Sequence, residues 1–490
     1  MEDRRTDVHT LLHRLTRLRT VVEDAGQRTY DRWSPAIVRD AFRPSALNLA
    51  RYLELRRHDL RDLQVELMPW GLSSLGRIEA RVRPQLDAVT DALSALADGA
   101  RGGPPSEEFF AGERRLAARA SELFGADRTG RRVRILVTLP TDAAERPDLV
   151  ADMVAAGADC FRINCAHDDE TVWAEMIRHV RAAGDSRVIM DLAGPKLRTV
   201  LFRNRTEPFR VHRGDRLILA VADYGGPSDL PRFGCTEPDV IARLKVGREV
   251  CVDDGRIRAR VVDMPVVGAA ELEVTLAGPD GSNLKAEKGL NFPDTMLPLD
   301  ALSEKDHADL PFVVRNADII GYSFVRTPAD IDNLIAEVES LEAPAGRSLA
   351  VVAKIETPLA IRNLPELIVH AAGRRAFGVM IARGDLAVEI GYERLAEIQE
   401  EILWLCEAAH VPVIWATQVL ESLVKRGRPS RGEITDAAMA ERAECVMLNK
   451  GQHVVAAIGI LDDVLTRMQA HQTKKTPRLR ALRAWTPDAE

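Results

Sequence analysis

The chain has 490 residues, of which 46% are hydrophobic and 29% charged, and its formal net charge is −7. So long a chain exceeds one ordinary hydrophobic core, and we expect several domains. No run approaches the ~18 apolar residues of a membrane span, and the acidic balance gives no basic field for nucleic acid. Small molecules are the expected ligands, and six scattered cysteines without metal-ligand spacing fit a cytoplasmic protein with reduced thiols.

Residues 1–98 are predicted to form a helical N-terminal region, because apolar residues recur every three or four positions. Gly and Pro residues at 99–106 then predict a linker, and one further helix is expected around 107–124, in a segment that ends at 131. The pattern does not indicate what this region binds. A homo-oligomer formed through it or through the following domain is one interpretation.

From Arg132 onward, eight short β-branched runs alternate with helical patterns. Parallel strands buried on both faces give continuous apolar runs, and eight βα repeats close a barrel whose chemistry lies at the carboxyl ends of the strands. We therefore predict an α/β fold, a TIM (β/α)8 barrel in two parts, residues 132–200 and 293–470. The runs end at polar residues: Thr138, Asn164, Asp191, Ser323, Lys354 with Glu356, Arg383 with Asp385, Thr417 with Gln418, and Asn449 with Lys450.

About 120 residues separate the third and fourth runs, far more than one βα unit needs. Residues 201–292 alternate like short antiparallel strands and are punctuated by Gly, Pro and Asp. This pattern predicts a small inserted β-barrel domain at the active-site end, which could act as a lid.

The segments at these strand ends resemble the pyruvate kinases, in the order found in that family. They are FRINCAH (161–167), MDLAGPKLRT (190–199), VDDG (252–255), KGLNFP (288–293), LSEKD (302–306), SFVR (323–326), AKIE (353–356), ARGDL (382–386), ATQVLES (416–422) and RPSRGEITD (428–436). The resemblance implies transfer of a phosphoryl group between phosphoenolpyruvate and a nucleoside diphosphate, giving pyruvate and a triphosphate. It also implies a β-domain inserted after the third barrel strand.

Phosphoryl transfer needs cations around the migrating group and a metal held by carboxylates. Glu356 and Asp385, on adjacent strand ends, could hold Mg²⁺ or Mn²⁺, although salt bridges at the barrel rim are the alternative. Lys354 lies two residues before Glu356 on the same strand face and can neutralise the transferring group, as its counterpart does in the family.

Substrate contacts are expected from arginines and from a helix N-terminus. Arg162 and Arg198 carry forked guanidinium groups suited to phosphate, whereas rim arginines often only tether loops. Gly384 and Asp385 open a helix whose free N–H groups favour the carboxylate of phosphoenolpyruvate. By resemblance, Thr417 is catalytic and lies near the carbon that is protonated.

The nucleotide side departs from the family. The resemblance implies contacts from Arg162, Lys288, Pro140 and Lys450, but VTLPT (137–141) lacks the family's Gly-Pro turn and MLNKGQH (447–453) replaces its Ser-Gly-Glu-Thr segment. Lys450 could form a phosphate-binding turn with the next glycine or lie in a surface loop.

The monovalent-cation site departs as well. Asn164 and Asp191 remain from this site, while Ala166 stands at the serine position and Lys196 replaces the glutamate of potassium-dependent members. The lysine ammonium can replace the ion, so we expect activity without added K⁺.

The residues after the last barrel helix, 471–490, include the basic sequence KKTPRLRALR and are predicted to be a disordered or solvated tail. A chain that ends here lacks the family's C-terminal regulatory domain, so sugar-phosphate allostery is expected to be absent.

Two alternative functions stay open. One keeps the enol-phosphate site but changes the acceptor or the reaction, as another phosphotransferase or a carbon–carbon lyase. The other is a sensor of phosphoenolpyruvate or a nucleotide with little turnover. Lys354 beside the metal ligands favours phosphoryl transfer over a lyase, which would need a base above a carbon.

Overall fold

A closed barrel of eight parallel strands forms the centre of the molecule. The computed structural model describes residues 7–478 apart from 73, 100–102, 203–206, 223, 225–228, 296, 298 and 343–347. The first strand pairs with both the second and the eighth. In chain order the strands are Arg134–Thr138, Cys160–Asn164, Arg187–Asp191, Ile319–Tyr322, Ala350–Ile355, Phe377–Ala382, Val413–Ala416 and Cys445–Leu448. The predicted (β/α)8 barrel is confirmed, and each apolar run forms one strand.

Helices surround the barrel on its outer face. They are Pro147–Ala156, Glu170–Ala183, Glu304–Asn316, Pro328–Glu342, Pro358–Ala372, Arg383–Ile390, Tyr392–Ala408, Glu421–Arg426, Arg431–Met439 and Val454–Met468. Ser303 caps the third of them, because its hydroxyl accepts from the Asp306 backbone while the Asp306 carboxylate accepts from the Ser303 backbone. Within the described residues, no helix has the length and hydropathy needed to cross a membrane.

A β-domain separates the third and fourth barrel strands. Its seven-stranded sheet runs in the order Leu290–Asn291, Glu249–Val252, Ile257–Val266, Ala269–Leu276, Arg216–Ala220, Arg232–Cys235, Thr199–Val200, and Phe209–Val211 pairs with Ser282–Leu284 in a second sheet. Alternating buried residues such as Leu217, Leu219 and Phe233 form a core separate from that of the barrel. We call this domain, residues 199–291, the lid.

The N-terminal region packs against the barrel helices in one continuous hydrophobic core. Its helices are Val8–Trp33, Arg43–Leu55, Arg61–Leu67, Val82–Asp98, Ser106–Phe109 and Ala111–Phe124. The buried Asn48 amide donates to Ala408 O at 2.8 Å, and the His410 ring contacts Ser45 Oγ and Ala80 O at 2.8 and 2.9 Å. Burial lowers the pKa of His410 to about 3, so the ring is a neutral polar anchor. Part of the predicted linker, residues 100–102, lies outside the described residues.

The last of these helices closes the N-terminal end of the barrel. Leu123 and Phe124 are 2% and 1% exposed and join the cluster formed by the inward side chains of the strands, which includes Leu136, Val352 and Ile414. The barrel interior is therefore filled by apolar side chains at this end.

The prediction of a solvated tail is wrong for residues 471–478. Gln472–Thr473 and Thr476–Pro477 form a hairpin whose turn lysines, Lys474 and Lys475, form ion pairs with the buried carboxylates of Glu444 and Glu79. These two glutamates lie beneath the hairpin and attract its ammonium groups, which a charge count along the chain does not reveal. Residues 479–490 lie outside the described part of the chain.

Candidate active site

Lys354 lies at the centre of the polar cluster at the carboxyl end of the barrel. It is the penultimate residue of the fifth strand and only 9% exposed. Its ammonium nitrogen lies 2.7 Å from Ser323 Oγ, 3.2 Å from Asp191 Oδ2 and 3.1 Å from Glu356 Oε1. Strand alternation brings Lys354 and Glu356 to the same face, as predicted from their spacing.

Asp191, at the end of the third strand, connects two cations. Its Oδ2 atom accepts from Arg162 Nε at 2.8 Å and also from Arg162 Nη2 and Lys354. Its Oδ1 atom is buried and has no hydrogen-bond partner among the described residues. A side chain at Gly321, on the neighbouring strand, would clash with this oxygen. The position needs glycine because the carboxylate fills the space of the missing Cβ.

Asp191 and Lys354 hold each other in the ionised state. Burial alone would lower the pKa of Lys354, but Asp191 and Glu356 outweigh it and the net pKa is raised. Burial also acts to raise the pKa of Asp191, yet Arg162 and Lys354 make the net shift a lowering. The cluster therefore keeps a fixed ammonium in a buried site, where electrostatic interactions are strong.

A cavity of about 320 Å³ opens above the cluster, between the barrel end and the lid. Most of the predicted site residues line it: Arg162, Asn164, Lys196, Arg198, Lys288, Lys354, Glu356 and Asp385. Gly384 and Thr417 lie together beside it, since a Cβ at Gly384 would be 3.6 Å from Thr417 Oγ1. Pro140 and Lys450 are not among the residues that line this cavity.

Two cavity-lining carboxylates form a hard oxygen donor set. Glu356 accepts from the backbone of Phe324 at 2.6 Å, and Asp385 lies in the first turn of the helix Arg383–Ile390. Burial raises the pKa of Glu356, Lys354 opposes this, and the like charge of Asp385 raises it further. Two neighbouring carboxylates attract a cation, and Mg²⁺ binds through one or two carboxylates plus substrate phosphates. The donor set fits that ion.

Lys196 pairs with Asp385, although it lines the same cavity as Asn164 and Ala166. Its ammonium contacts Asp385 Oδ1 at 2.8 Å, whereas the Asn164 side chain accepts from the Ala166 backbone at 3.2 Å. The structure therefore does not join Lys196 to Asn164. The lysine charge is instead placed next to one of the two candidate metal ligands.

Thr417 is held in an unusual backbone conformation at the end of the seventh strand. Its φ is 65°, that of Gln418 is 58°, and the Thr417 hydroxyl is buried without a partner among the described residues. Such left-handed conformations of non-glycine residues cost free energy and occur often at functional sites. Arg383 supports this turn, because its guanidinium donates to Thr417 O at 2.6 Å and pairs with Asp436 at 2.5 Å.

The base of the lid supplies further cations. Lys288 pairs with Asp253 at 2.9 Å, and Arg198 donates to Glu287 O at 3.1 Å. His167, which we did not single out from the sequence, lines the same cavity. Burial lowers its pKa, and the charge of Lys450 adds to this, so Lys450 lies near the cavity although it does not line it.

The structure adds two positioning residues. Ser323 donates to Leu192 O at 2.6 Å and accepts from Lys354, and Arg383 holds the Thr417 turn. Both were noted at strand ends, but without a role. In the sequence, only their position at strand ends indicated a role. Their hydrogen-bond partners follow or lie on other strands, so these contacts are seen only in the folded chain.

Comparisons with known proteins identify the family of the chain and agree with its fold. A family model described as "Pyruvate kinase, barrel domain" matches residues 130–457. The pyruvate kinase of Methylorubrum extorquens is 32% identical over 395 residues, which cover 73% of this chain and 78% of that protein. The pyruvate kinase of Mycobacterium intracellulare is 33% identical over 360 residues, which cover 71% of this chain and 72% of that protein. A pyruvate kinase structure from Cryptosporidium parvum superposes with a TM-score of 0.63 over 70% of each chain at 24% identity, which supports the fold. The chain belongs to the pyruvate kinase family of phosphotransferases.

Proposed function

We propose that the chain transfers the phosphoryl group of phosphoenolpyruvate to a nucleoside diphosphate, giving pyruvate and a triphosphate. The observation that carries this proposal is the buried Lys354 ammonium, held between Asp191 and Glu356 at the floor of the 320 Å³ cavity. A fixed cation close to carboxylates that can hold a metal is what a migrating phosphoryl group requires.

The proposed reaction breaks one bond to phosphorus and forms another, and side chains of the cavity can act on both steps. The bond between the bridging oxygen and phosphorus breaks, and an oxygen of the diphosphate bonds to phosphorus. Lys354 neutralises the negative charge carried between them. Arg162 holds Asp191 with two N–H groups and donates a third to Thr138 Oγ1 at 3.3 Å. It lines the cavity, and a guanidinium group with five N–H donors has two left for a ligand. The enolate left behind takes a proton on its terminal carbon.

The carboxylate of the substrate is assigned to the start of the helix Arg383–Ile390. Free N–H groups at Gly384 and Asp385 and the helix dipole favour an anion there. Thr417 lies next to Gly384 with an unpartnered hydroxyl, which supports a role for it near the protonated carbon.

Glu356 and Asp385 would hold Mg²⁺ or Mn²⁺, which when bound would neutralise charge on the phosphoryl oxygens. We also propose that K⁺ is not required. Ala166 removes a ligand from the monovalent-cation site, and Lys196 brings a permanent positive charge into the same cavity beside Asp385.

A second candidate keeps the enol-phosphate site and changes the acceptor. Its supporting observation is that Pro140 and Lys450, two of the four nucleotide contacts expected from the sequence, do not line the cavity. A different phosphotransferase or a lyase would use the same Lys354 and carboxylates with another second substrate. A sensor with little turnover would bind without forming product.

The test measures pyruvate formed from phosphoenolpyruvate with Mg²⁺ and each of several nucleoside diphosphates, in K⁺ and in tetramethylammonium buffers. We expect turnover with at least one diphosphate, equal rates in both buffers, and loss of turnover after chelation of the metal. A Lys354→Met preparation purified in parallel measures any contaminating enzyme. The absence of pyruvate with every diphosphate would reject the main proposal, and ligand-induced thermal stabilisation without product would then favour the sensor.

Cytoplasmic location and assembly into a homo-oligomer through the barrel or the N-terminal helices remain predictions. Light scattering on the purified chain would measure the second directly.

A further inference from the structure

A second cavity, of about 380 Å³, lies where the lid joins the barrel, and we call it the lid-base cavity. It shares only Lys196 and Phe324 with the cavity above Lys354. One wall is the segment by which the chain returns from the lid, residues 290–295, and another is the beginning of the helix Pro358–Ala372. The lid-base cavity is therefore a separate space that contacts both domains.

The interior of the lid-base cavity is largely apolar. Leu290 and Phe292 are 3% and 4% exposed, and the half-buried Leu297, Leu299 and Leu359 complete the apolar surface. Burying such surface against an apolar molecule is favourable by roughly 25 cal/mol per Å². A cavity of this size suits a small organic molecule rather than a single ion.

Two residues that line the lid-base cavity carry buried polar atoms without a partner among the described residues. Asn291 is 7% exposed, and its Nδ2 donates to Glu389 Oε1 at 3.0 Å, while its Oδ1 is buried without a partner among the described residues. Thr295, which also lines the cavity, has a buried hydroxyl in the same state. A buried polar atom left unpaired costs about 1–3 kcal/mol, so an N–H or O–H donor from a ligand would remove that cost.

The rim of the lid-base cavity is positive. Arg248 from the lid and Arg362 from the barrel helix are exposed and form no ion pair within the part of the chain that the structure describes. Arg326 is already engaged, donating to Leu297 O at 2.9 Å. Burial raises the pKa of Glu389 to about 7, so this acid offsets little of the rim charge below neutral pH. The exposed carboxylate of Asp294 also lines the cavity, so the lining holds three arginines against one exposed acid and still favours an anion.

We propose that the lid-base cavity binds an amphipathic organic anion. Its aliphatic or aromatic body packs against the leucines and Phe292, an N–H or O–H group donates to Asn291 Oδ1, and its acidic group pairs with Arg362 and Arg248. Because the walls belong to both domains, the bound anion also ties the lid to the barrel. This site is distinct from the phosphoryl-transfer site, although Lys196 and Phe324 line both cavities.

The probe for the test is 8-anilinonaphthalene-1-sulfonate, which has an aromatic body, an N–H donor and an anionic group, and which fluoresces in apolar surroundings. We expect saturable binding of one probe per full-length chain. Charge reversal in Arg362→Glu should weaken binding about tenfold or more, since a charge-assisted hydrogen bond is lost and repulsion is added. Leu299→Trp should abolish binding by filling the cavity.

Two controls locate the probe. Arg394→Glu reverses an exposed arginine on the neighbouring helix Tyr392–Ala408 and should leave affinity within about twofold. Arg198→Glu alters the other cavity and should do the same. Equal affinity in Arg362→Glu and the unaltered chain, or a loss in Arg198→Glu instead, would overturn the proposal. Thermal unfolding tests whether Leu299→Trp is folded. Unchanged binding of the probe by folded Leu299→Trp would also overturn the proposal.

Discussion

The two ends of the barrel both hold buried carboxylates paired with lysines, but only one end leaves them beside open space. At the carboxyl end, Lys354, Asp191 and Glu356 lie under a cavity of about 320 Å³. At the amino end, Glu444 and Glu79, each 2% exposed, are covered by Lys474 and Lys475 of the C-terminal hairpin. The same residue types therefore form a polar cluster beside a cavity at one end, and ion pairs that attach the C-terminal hairpin at the other.

The difference shows that charge and burial do not by themselves mark a functional site. Perturbed pKa values occur at both ends: burial raises the pKa of Glu407 to about 7 at the amino end, as it raises that of Glu356 at the carboxyl end. Access for a ligand and atoms left without a partner separate the two cases. Variants at the two ends should accordingly change different properties.

The largest expected effect is that of Lys354→Met on activity. Loss of a preorganised cation at the transferring group should lower kcat about 10³-fold. The change should leave the melting temperature of the chain near its original value, because Arg162 still pairs with Asp191, and Glu356, whose pKa burial already raises, can take up a proton when its ion pair is lost. Steady-state kinetics and thermal unfolding measure the two quantities, and a folded variant with unreduced kcat would contradict the assignment.

Lys474→Met should lower stability and leave activity unchanged. It leaves the buried carboxylate of Glu444 without its nearest cation, so the free energy of unfolding should fall by about 3 kcal/mol while kcat is retained. Denaturant titration measures the loss. Lys305→Met is the matched control, because Lys305 pairs with Asp309 at 2.6 Å but is 47% exposed, and its loss should be below about 1 kcal/mol. A large fall in kcat for Lys474→Met would contradict the view that the amino end of the barrel contributes to stability and not to activity.

Gly321→Ala tests how finely Asp191 is placed. The added methyl group would displace the Asp191 carboxylate, and misplacement near 1 Å costs about 10²-fold in kcat. Gly459→Ala is the control, since nothing lies near its missing Cβ and the position is within the helix Val454–Met468. It should keep full activity and gain up to about 1 kcal/mol in stability. Equal kinetics for the two variants would show that Asp191 tolerates movement.

The smallest effect concerns pH. The pKa of Glu407 is raised from 4.5 to about 7 by burial, with Lys474 opposing the shift and Glu79 adding to it. The native chain therefore binds this proton more tightly than the unfolded chain, and the stability it contributes falls as pH rises from about 4.5 to 7. Glu407→Gln should flatten that fall and raise the melting temperature at pH 8 by about 2 °C.

Melting temperatures between pH 5 and pH 8 measure this slope. Glu397→Gln, an exposed change on the same helix, should leave it unaltered. A steeper fall in Glu407→Gln would mean that this carboxylate is ionised and stabilising in the native chain.

Periodicity alone predicted the barrel, because buried parallel strands require uninterrupted apolar runs, and all eight appear in the structure. Strand-end position likewise predicted that Arg162, Lys354, Glu356 and Asp385 would meet at one cavity. The hairpin at residues 471–478 was missed, because its lysines gain their partners from residues distant along the chain, Glu79 and Glu444.

The amino-acid sequence by itself determined which residue types stand at the ends of the strands, and with them the family and the class of chemistry. Only the tertiary structure decided which charge pairs with which. Lys196 contacts Asp385 rather than Asn164, and Arg383 holds the Thr417 turn. Asn291 Oδ1 is buried without a partner among the described residues. The reason is physical: strand periodicity repeats locally along the chain, whereas ion pairing and burial depend on distances between segments that folding alone brings together.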